Sequence, residues 1–189
     1  IHDVPEELRL KYDAMGVSDF DARVFAMIEN IDQNVGKLMT YLRETDLERS
    51  TLVIYRHDNG PNGDRSVGDM RGRKGQVFEG GVRSPFFAHW PGTLEPGVAS
   101  DDVTAHVDVF PTILEACEVT VPDGVEIDGR SAYGLLRRMP TNWPERDIVI
   151  QAHRGNVPVR YHHMLLRTSR WKLLNASGFG KAVESCLLY

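Results

Sequence analysis

The chain has 189 residues, of which 41% are hydrophobic and 26% are charged, and its formal net charge is -5. This length is enough for one large domain, or for a piece of a larger protein, with a hydrophobic core. The negative balance excludes a general binder of nucleic acid or other polyanions, so any anion must bind at a local site. No apolar run is long enough to cross a bilayer and no leader pattern opens the chain, so an export signal is expected to be absent or already removed.

The first predicted element is a long helix over residues 18–46. Ser18 can cap this helix, and Asp21 follows three residues later, as in a capping box. Apolar residues recur at alternating steps of four and three residues, which predicts one stripe that packs against a sheet or another helix. The stripe consists of Val24, Ile28, Ile31, Val35, Leu38 and Leu42.

The run STLVIYRH, at residues 50–57, is rich in β-branched and aromatic residues. Such a run is typical of a strand covered on both faces, as in a parallel sheet. A helix followed by a buried strand indicates an α/β layer. The segment SPFFAHWPG, at residues 84–92, is the other good strand candidate before residue 100. A sheet with so few strands is incomplete, which indicates missing sequence.

The second half of the chain begins with a predicted helix over residues 106–119. Pro111 lies in its first turn, where proline is tolerated, and Asp108 is expected to cap it. Ser131 is expected to cap a short helix that ends near Leu136. Short strand-like segments then predict a small antiparallel sheet. These segments are residues 147–154, 161–168 and 170–176.

A glycine-rich stretch after the first predicted strand carries the residues best suited to chemistry. Asp58 and Asn59 follow that strand directly, where ligands bind in open α/β sheets, and their oxygens suit Ca²⁺ or Mg²⁺. Lys74 lies among glycines, where its ammonium group can hold an oxyanion, and Arg71 and Arg73 add local positive charge. Taken singly, these residues also fit an Asx turn and a solvated basic loop.

Taken together, the motifs DNG, RGRKG, EGGVRSP and WPG occur in order at short spacing. This arrangement closely resembles the sulfatase family, of the alkaline-phosphatase-like superfold. The preceding helix, the segment HVDVFPT with the later DGRS, and the terminal RWKLL and LLY extend the resemblance over roughly residues 20–189. The resemblance implies an α/β fold in which a partial alkaline-phosphatase-like sheet with flanking helices precedes a small antiparallel sheet subdomain. It implies a division into residues 1–115, with the site loop, and residues 116–189.

The same resemblance implies roles for individual residues. Asp58 and Asn59 are expected to be ligands of a divalent cation, usually calcium, and Lys74 is expected to contact the sulfate and stabilise the leaving ester oxygen. His57 departs from the family, in which small residues are commoner before DNG, and we expect it to be packed or hydrogen-bonded.

The family's nucleophile is a formylglycine made from Cys or Ser in a C/S-x-P-x-R motif, and this sequence contains no such motif. The amino-terminal Asp-Asp metal ligands of the family also have no counterpart. The chain therefore resembles the carboxy-terminal portion of a sulfatase, and its expected partner is the missing amino-terminal half. The formylglycine is expected only in that half, and two metal ligands are too few for Ca²⁺, so we expect the isolated chain to be inactive.

Two alternatives to a sulfatase stay open. One is a phosphoester or phosphonate hydrolase of the same superfold, and the other is a non-catalytic interaction module, with homo-oligomers possible through an exposed sheet face. Export to the periplasm, the cell exterior or the lysosome is usual for the family.

Outside the glycine-rich stretch, the cysteines and three histidines have no metal-binding pattern. Cys117 and Cys186 show no redox spacing, and we expect buried thiols, with one disulfide as the alternative. His153, His162 and His163 are expected in surface strands and a loop, with a substrate pocket as the alternative.

Overall fold

The structure is a computed structural model that describes residues 3–139, 142–153, 155–177 and 186–189. The chain divides into two compact units. The first comprises Ile1–Leu52 with Trp90–Gly92, and the second comprises Val53–His89 with Thr93–Tyr189. None of the helices in the described ranges is long and apolar enough to span a membrane.

The first unit is a helical hairpin. Helix α1, Glu6–Asp13, was not predicted because its short, charged sequence shows no apolar period, and it packs on helix α2, Asp19–Glu44. The α2 prediction is confirmed, since the Ser18 hydroxyl accepts a hydrogen bond from the Asp21 N–H at 3.1 Å. A short 3₁₀ helix, Glu48–Ser50, follows.

The predicted apolar stripe of α2 is buried only near its two ends. Val24 and Leu42 are buried, whereas Ile28, Ile31 and Leu38 are 55%, 45% and 48% exposed. Helix α1 is only 8 residues long, too short to cover a helix of 26 residues. The middle of the stripe is therefore left uncovered by the described residues.

The second unit opens with a two-stranded sheet. Strand β1, Val53–Arg56, pairs antiparallel with strand β2, Phe86–His89, so that Ile54 lies opposite Ala88. The expected parallel, fully covered strand is therefore wrong, and both strands remain partly exposed. A parallel pair needs a crossover, usually a long helix, whereas the connection here contains only the four-residue helix α3, Glu79–Val82.

The remaining elements follow the predicted order. Helix α4, Val109–Ala116, has Pro111 in its first turn as predicted. The cap position of helix α5, Tyr133–Leu136, is Ala132, so Ser131, the predicted cap, lies one residue before it, and its hydroxyl accepts from the N–H of Tyr133 at 3.2 Å. The small antiparallel sheet is also confirmed, with strand order β3-β4-β5-β6. Its strands are Ile148–Gln151, Met164–Arg167, Lys172–Asn175 and Leu187–Leu188.

The hydrophobic core of this unit joins the terminal sheet to the glycine-rich loop. Val77, from the loop, is buried against Leu165 of β4 and Leu174 of β5. Partly buried apolar side chains surround them: Phe78, Val82, Ile150 and Ala176. The division near residue 115 stays a prediction, although one cluster draws residues from both sides of it.

Asp108 caps the start of the predicted helix, as expected, and also has a wider role. It ends a 3₁₀ turn, His106–Asp108, that leads into α4, and its carboxylate takes part in a capping box at Ala105. Its buried carboxylate accepts no hydrogen bond from the α4 backbone, but accepts from the N–H groups of Ala105 at 2.7 Å and Arg130 at 2.9 Å, and from the guanidinium of Arg146. Burial raises the pKa of the Asp108 carboxyl, but the hydrogen bonds from Arg146 and from the two backbone N–H groups outweigh it, so the pKa is lowered. Asp108 therefore ties three separate segments together as an anion.

The expectation of buried thiols is wrong for both cysteines. Cys117 and Cys186 are exposed and free, so the alternative of a disulfide is not observed either. Cys117 lies just beyond the last residue of α4, where the chain turns into an exposed connection, and Cys186 precedes the short edge strand β6.

The glycines of DNG and EGG let backbone segments approach one another. A Cβ built on Gly60 would lie 1.8 Å from the carbonyl oxygen of Gly80, and one on Gly81 would lie 2.1 Å from that of Gln76. These distances are shorter than any real contact, so side chains are excluded from both positions. The close neighbour of both glycines is therefore the backbone of the chain itself.

We predict that Gly81→Ala destabilises the protein by about 1–3 kcal/mol, since its new methyl group would overlap backbone carbonyls that cannot easily move. Gly36→Ala is the matched control. Gly36 lies inside α2 with open space around it, so the change should stabilise by roughly 0.5–1 kcal/mol. Thermal unfolding would measure both changes, and an unchanged or raised melting temperature for Gly81→Ala would contradict the packing.

We also predict that Asp108→Asn destabilises the protein by about 3–5 kcal/mol at neutral pH, since it leaves the buried Arg146 without its anion. Because the folded-state pKa of Asp108 is lowered, its stabilisation is fully present above the unfolded value of about 3.9 and is lost as the pH falls through the folded value. The difference between wild type and variant should therefore shrink below about pH 4.

Urea unfolding at several pH values measures this difference. Asp19→Asn, which alters an exposed ion pair with Arg23, is the control and should change stability far less. A pH-independent difference between wild type and Asp108→Asn would contradict the assignment of an ionised Asp108.

Candidate functional site

The segment that carries Asp58 begins where β1 ends, and its backbone is held from two sides. The His57 N–H donates to the carbonyl of Pro85 at 3.3 Å, and the His57 carbonyl accepts from Nε2 of His106 at 3.0 Å. The ring of His57 is hydrogen-bonded to the Tyr55 hydroxyl at 2.8 Å, which confirms the expectation for this histidine. The peptide that leads into Asp58 is thus fixed before the proposed metal ligands begin.

The segment that carries Lys74 folds back onto the same stretch of backbone. The Lys74 N–H donates to the carbonyl of Pro61 at 2.9 Å, and the Gly60 N–H donates to the carbonyl of Gly81 at 2.9 Å. Because Pro61 is two residues beyond Asn59, standard backbone dimensions place the Cα atoms of Lys74 and Asn59 at most about 14 Å apart. The structure therefore brings the DNG motif and the RGRKG motif next to each other, although Gly60 and Lys74 are 14 positions apart in the sequence.

The loop between these contacts is closed by its own hydrogen bonds. The Gly80 N–H donates to the carbonyl of Arg71 at 2.8 Å, and the Gln76 N–H donates to the carbonyl of Arg73 at 2.9 Å. The side chain of Gln76 also accepts from the Arg73 N–H at 3.1 Å. Gly75 has a φ of 80°, a conformation that glycine adopts readily. These bonds give Lys74 a defined backbone position within an irregular loop.

The charged neighbours of Lys74 are engaged in structural contacts. The Arg73 guanidinium pairs with Asp64, and Arg71 lies 4.0 Å from the centre of the Phe78 ring and donates to the Tyr189 hydroxyl at 3.3 Å. The positive charges of Arg71 and Arg73, which were expected to strengthen the field around Lys74, are therefore partly engaged in stabilising the loop.

Glu79 pairs mainly with Lys172 of β5, and more distantly with Arg83 at 4.0 Å. The pair with Lys172 joins helix α3 to the terminal sheet.

The three predicted site residues behave differently from these neighbours. Among the residues that the structure describes, the side chains of Asp58, Asn59 and Lys74 form no hydrogen bond or ion pair. Asp58 and Lys74 are exposed and Asn59 is half-buried. A carboxylate and an amide oxygen in adjacent positions fit the hard-ligand chemistry of Ca²⁺ or Mg²⁺, but they supply only part of a coordination shell. Within the described ranges, no group of three or more His, Cys, Asp or Glu residues could hold a metal.

Two of the three histidines near the terminal sheet are buried, so the expectation of surface positions is wrong for His162 and His163. His153 is exposed as expected. Nε2 of His163 is 2.7 Å from the carbonyl oxygen of Gly75, the residue that follows Lys74. This contact brings the terminal sheet to the Lys74 loop, and no local sequence pattern could have shown a contact across 88 positions.

Comparison with known proteins agrees with the motifs. The family model Sulfatase matches residues 5–119, and the model for the carboxy-terminal part of N-sulphoglucosamine sulphohydrolase matches residues 72–189. Among curated proteins, the chain is 39% identical over 120 residues to steryl-sulfatase of Mus musculus. That match covers 58% of this chain but only 19% of the relative.

Solved structures show the same fold. The structure of Ps i-CgsB in complex with k-i-k-neocarrahexaose matches with a TM-score of 0.80 at 21% identity, over 99% of this chain and 40% of that one. The phosphonate monoester hydrolase SpPMH from Silicibacter pomeroyi matches with a TM-score of 0.64 at 20% identity, over 90% of this chain and 34% of that one. The chain thus has the alkaline-phosphatase-like fold of these proteins and spans less than half of their length. With a family model matching residues 5–119, the chain belongs to the sulfatase family.

Proposed function

We propose that this chain supplies part of the active site of an enzyme that hydrolyses sulfate esters with the help of a divalent cation. One observation carries the proposal. On this loop Arg71, Arg73 and Glu79 are engaged in structural contacts, whereas the side chains of the three site residues have no partner among the described residues: Asp58, Asn59 and Lys74. A polar or charged side chain without an internal partner on a well-anchored backbone is available to a ligand.

In this proposal, Asp58 and Asn59 hold the cation, which when bound would supply positive charge to an oxygen of the sulfate group. Lys74 contacts the sulfate and stabilises the negative charge that develops on the ester oxygen as it leaves. An ammonium group suits this role because it is a compact charge with three donors. The hydrogen bond from the Lys74 N–H to Pro61 keeps the lysine backbone beside the segment that holds the cation.

The nucleophile and the remaining metal ligands are proposed to come from an amino-terminal half that contains the formylglycine motif. The coverage of 19% to 40% of the relatives' lengths supports this partner, because most of a complete sulfatase lies outside the matched region. The exposed middle of the α2 stripe gives such a partner an apolar face to cover.

A second candidate is hydrolysis of phosphonate or phosphate esters, which the fold likeness to a phosphonate monoester hydrolase favours. Both reactions place a tetrahedral anion beside a cation, so Lys74 and Asp58 would serve either. The relative rates of a complete enzyme on matched aryl sulfates and aryl phosphonates decide between them.

We predict that the isolated 189-residue chain does not turn over an aryl sulfate, because two metal ligands and one lysine provide charge stabilisation without a nucleophile. Calorimetric titration with Ca²⁺ should show weak binding, since about six to eight oxygens are normally needed. Clear turnover by the pure chain would contradict the proposed division of the active site.

We predict that Lys74→Ala in a complete enzyme lowers kcat by about 10²–10³, since one stabilising donor at a developing charge has roughly this effect. The loss should grow as the leaving phenol becomes a weaker acid, because more charge then collects on the ester oxygen. Lys37→Ala, on the exposed face of α2, is the control and should leave kcat unchanged. Equal loss for every leaving group would refute the role of Lys74.

A further inference from the structure

Two histidines from distant parts of the chain bind backbone carbonyls next to the proposed site residues. His106 lies 3.0 Å from the carbonyl oxygen of His57, which precedes Asp58. His163 lies 2.7 Å from the carbonyl oxygen of Gly75, which follows Lys74. Because a carbonyl oxygen only accepts, each imidazole donates through Nε2. The His163 contact is the shorter, and its histidine is only 4% exposed.

The backbone of His163 is itself firmly held. The Ala152 N–H, just after β3, donates to the His163 carbonyl at 3.1 Å, and the Gln151 side chain donates to the His162 carbonyl at 2.9 Å. His163 has a φ of 46°, in the left-handed region that side chains other than glycine rarely adopt. The surrounding sheet keeps this conformation, so the imidazole is fixed to the sheet and does not simply follow the loop.

Lys74 is consequently held on both sides in the sequence. Its own N–H is bound to the carbonyl of Pro61 at 2.9 Å, and the carbonyl of the next residue, Gly75, is bound to His163. Gly75 has no side chain and a φ of 80°, so its own dihedral preferences restrain its carbonyl little.

The peptide that Gly75 shares with Gln76 is held by two bonds, from the Gln76 N–H to the carbonyl of Arg73 at 2.9 Å and from His163 to the Gly75 carbonyl. Loss of the His163 bond leaves this peptide held on one side only. Because Val77 is fixed in the core, a tilt of the peptide would be taken up towards Lys74 and would shift its backbone together with its ammonium group.

We propose that His163 is the positioning residue that orients Lys74 for its contact with the leaving oxygen. The proposal rests on the proposed function of Lys74. In this role His163 contacts neither the substrate nor the cation, and it acts only through its hydrogen bond to the Gly75 carbonyl. Hydrogen-bond donation from Nε2 is the property that matters, rather than the size or charge of the ring.

Three variants of a complete enzyme separate donation from size and backbone strain. In His163→Gln the side-chain amide nitrogen falls near the position of Nε2 and can still donate to Gly75. In His163→Asn the residue tolerates the left-handed backbone, but its shorter amide falls near the position of Nδ1 and stops short of the carbonyl. His163→Leu removes the donor altogether.

The readout is kcat/KM for a series of aryl sulfates whose leaving phenols differ in acidity. For the least acidic leaving phenols, kcat/KM of His163→Leu and of His163→Asn should fall about 10- to 100-fold. This is the loss expected when a catalytic group is displaced by a fraction of an ångström to 1 Å. For the most acidic phenols the loss should be small, and His163→Gln should stay near wild type throughout. The exposed His153→Leu is the control and should match wild type.

A role in folding alone gives a different result. A folding defect would lower kcat/KM by the same factor for every substrate, or would lower it equally in His163→Gln and His163→Asn. Either outcome overturns the proposal. The double variant Lys74→Ala with His163→Leu should be no worse than Lys74→Ala alone, because a positioning residue has nothing left to position. Fully additive losses would also overturn it.

The two proposals fail in different ways. If Lys74→Ala shows no dependence on the leaving group, the proposed function of Lys74 is wrong. If Lys74→Ala shows that dependence and His163→Asn matches His163→Gln, only the positioning role of His163 is wrong. Should His163→Leu fail to fold, the comparison of Gln with Asn still decides the question.

Discussion

The docking of the glycine-rich loop onto the terminal sheet is the interaction on which the second unit depends. The loop contains only one helix, of four residues, and its own hydrogen bonds close it without joining it to the terminal sheet. Burial of Val77 between Leu165 and Leu174 supplies the apolar contact, and the pair of Glu79 with Lys172 joins helix α3 to β5. Full burial of one such side chain contributes roughly 1.5–3 kcal/mol, which helps offset the entropy of ordering a glycine-rich segment.

Glycine serves two purposes in this arrangement. At Gly60 and Gly81 it lets backbone approach backbone, which packs the two motifs against each other. At Gly75 it permits the positive φ beside Lys74. The conformational freedom of Gly75 has a disadvantage, because a mobile peptide next to Lys74 would leave the position of the ammonium group poorly defined. The bond from His163 limits this freedom together with the bond from the Gln76 N–H to Arg73, so the sheet contributes order to the loop as well as apolar surface.

Patterns that act over a few residues could be predicted from the sequence. Ser18 and Asp21 mark the start of α2 because capping is a local hydrogen bond, and the terminal strands follow from short β-branched and apolar runs. The motifs also indicated the family and the fold. Helix α1 escaped prediction because it is short and charged, and its stability comes from packing on α2.

Contacts between distant residues could not be predicted in this way. The antiparallel pairing of β1 with β2 depends on how the intervening loop folds, not on either strand's composition. The bond of Asp108 to Arg146 spans 38 positions, so the sequence showed only its capping role. The bond of His163 to Gly75 spans 88 positions, so no pattern in the sequence indicated that this histidine is buried. The proposed site residues follow from the types and order of the motifs, whereas the groups that hold their backbone in place could not be predicted from the sequence.

The central claim is that Asp58, Asn59 and Lys74 face one shared site for a cation and a tetrahedral anion. A crystal structure of the complete protein with Ca²⁺ and sulfate tests it most directly. The account predicts an oxygen of Asp58 and one of Asn59 at about 2.3–2.6 Å from the calcium ion. It also predicts Nζ of Lys74 within hydrogen-bonding distance of a sulfate oxygen. Calcium bound by other residues, or Lys74 directed into solvent away from the sulfate, would contradict it.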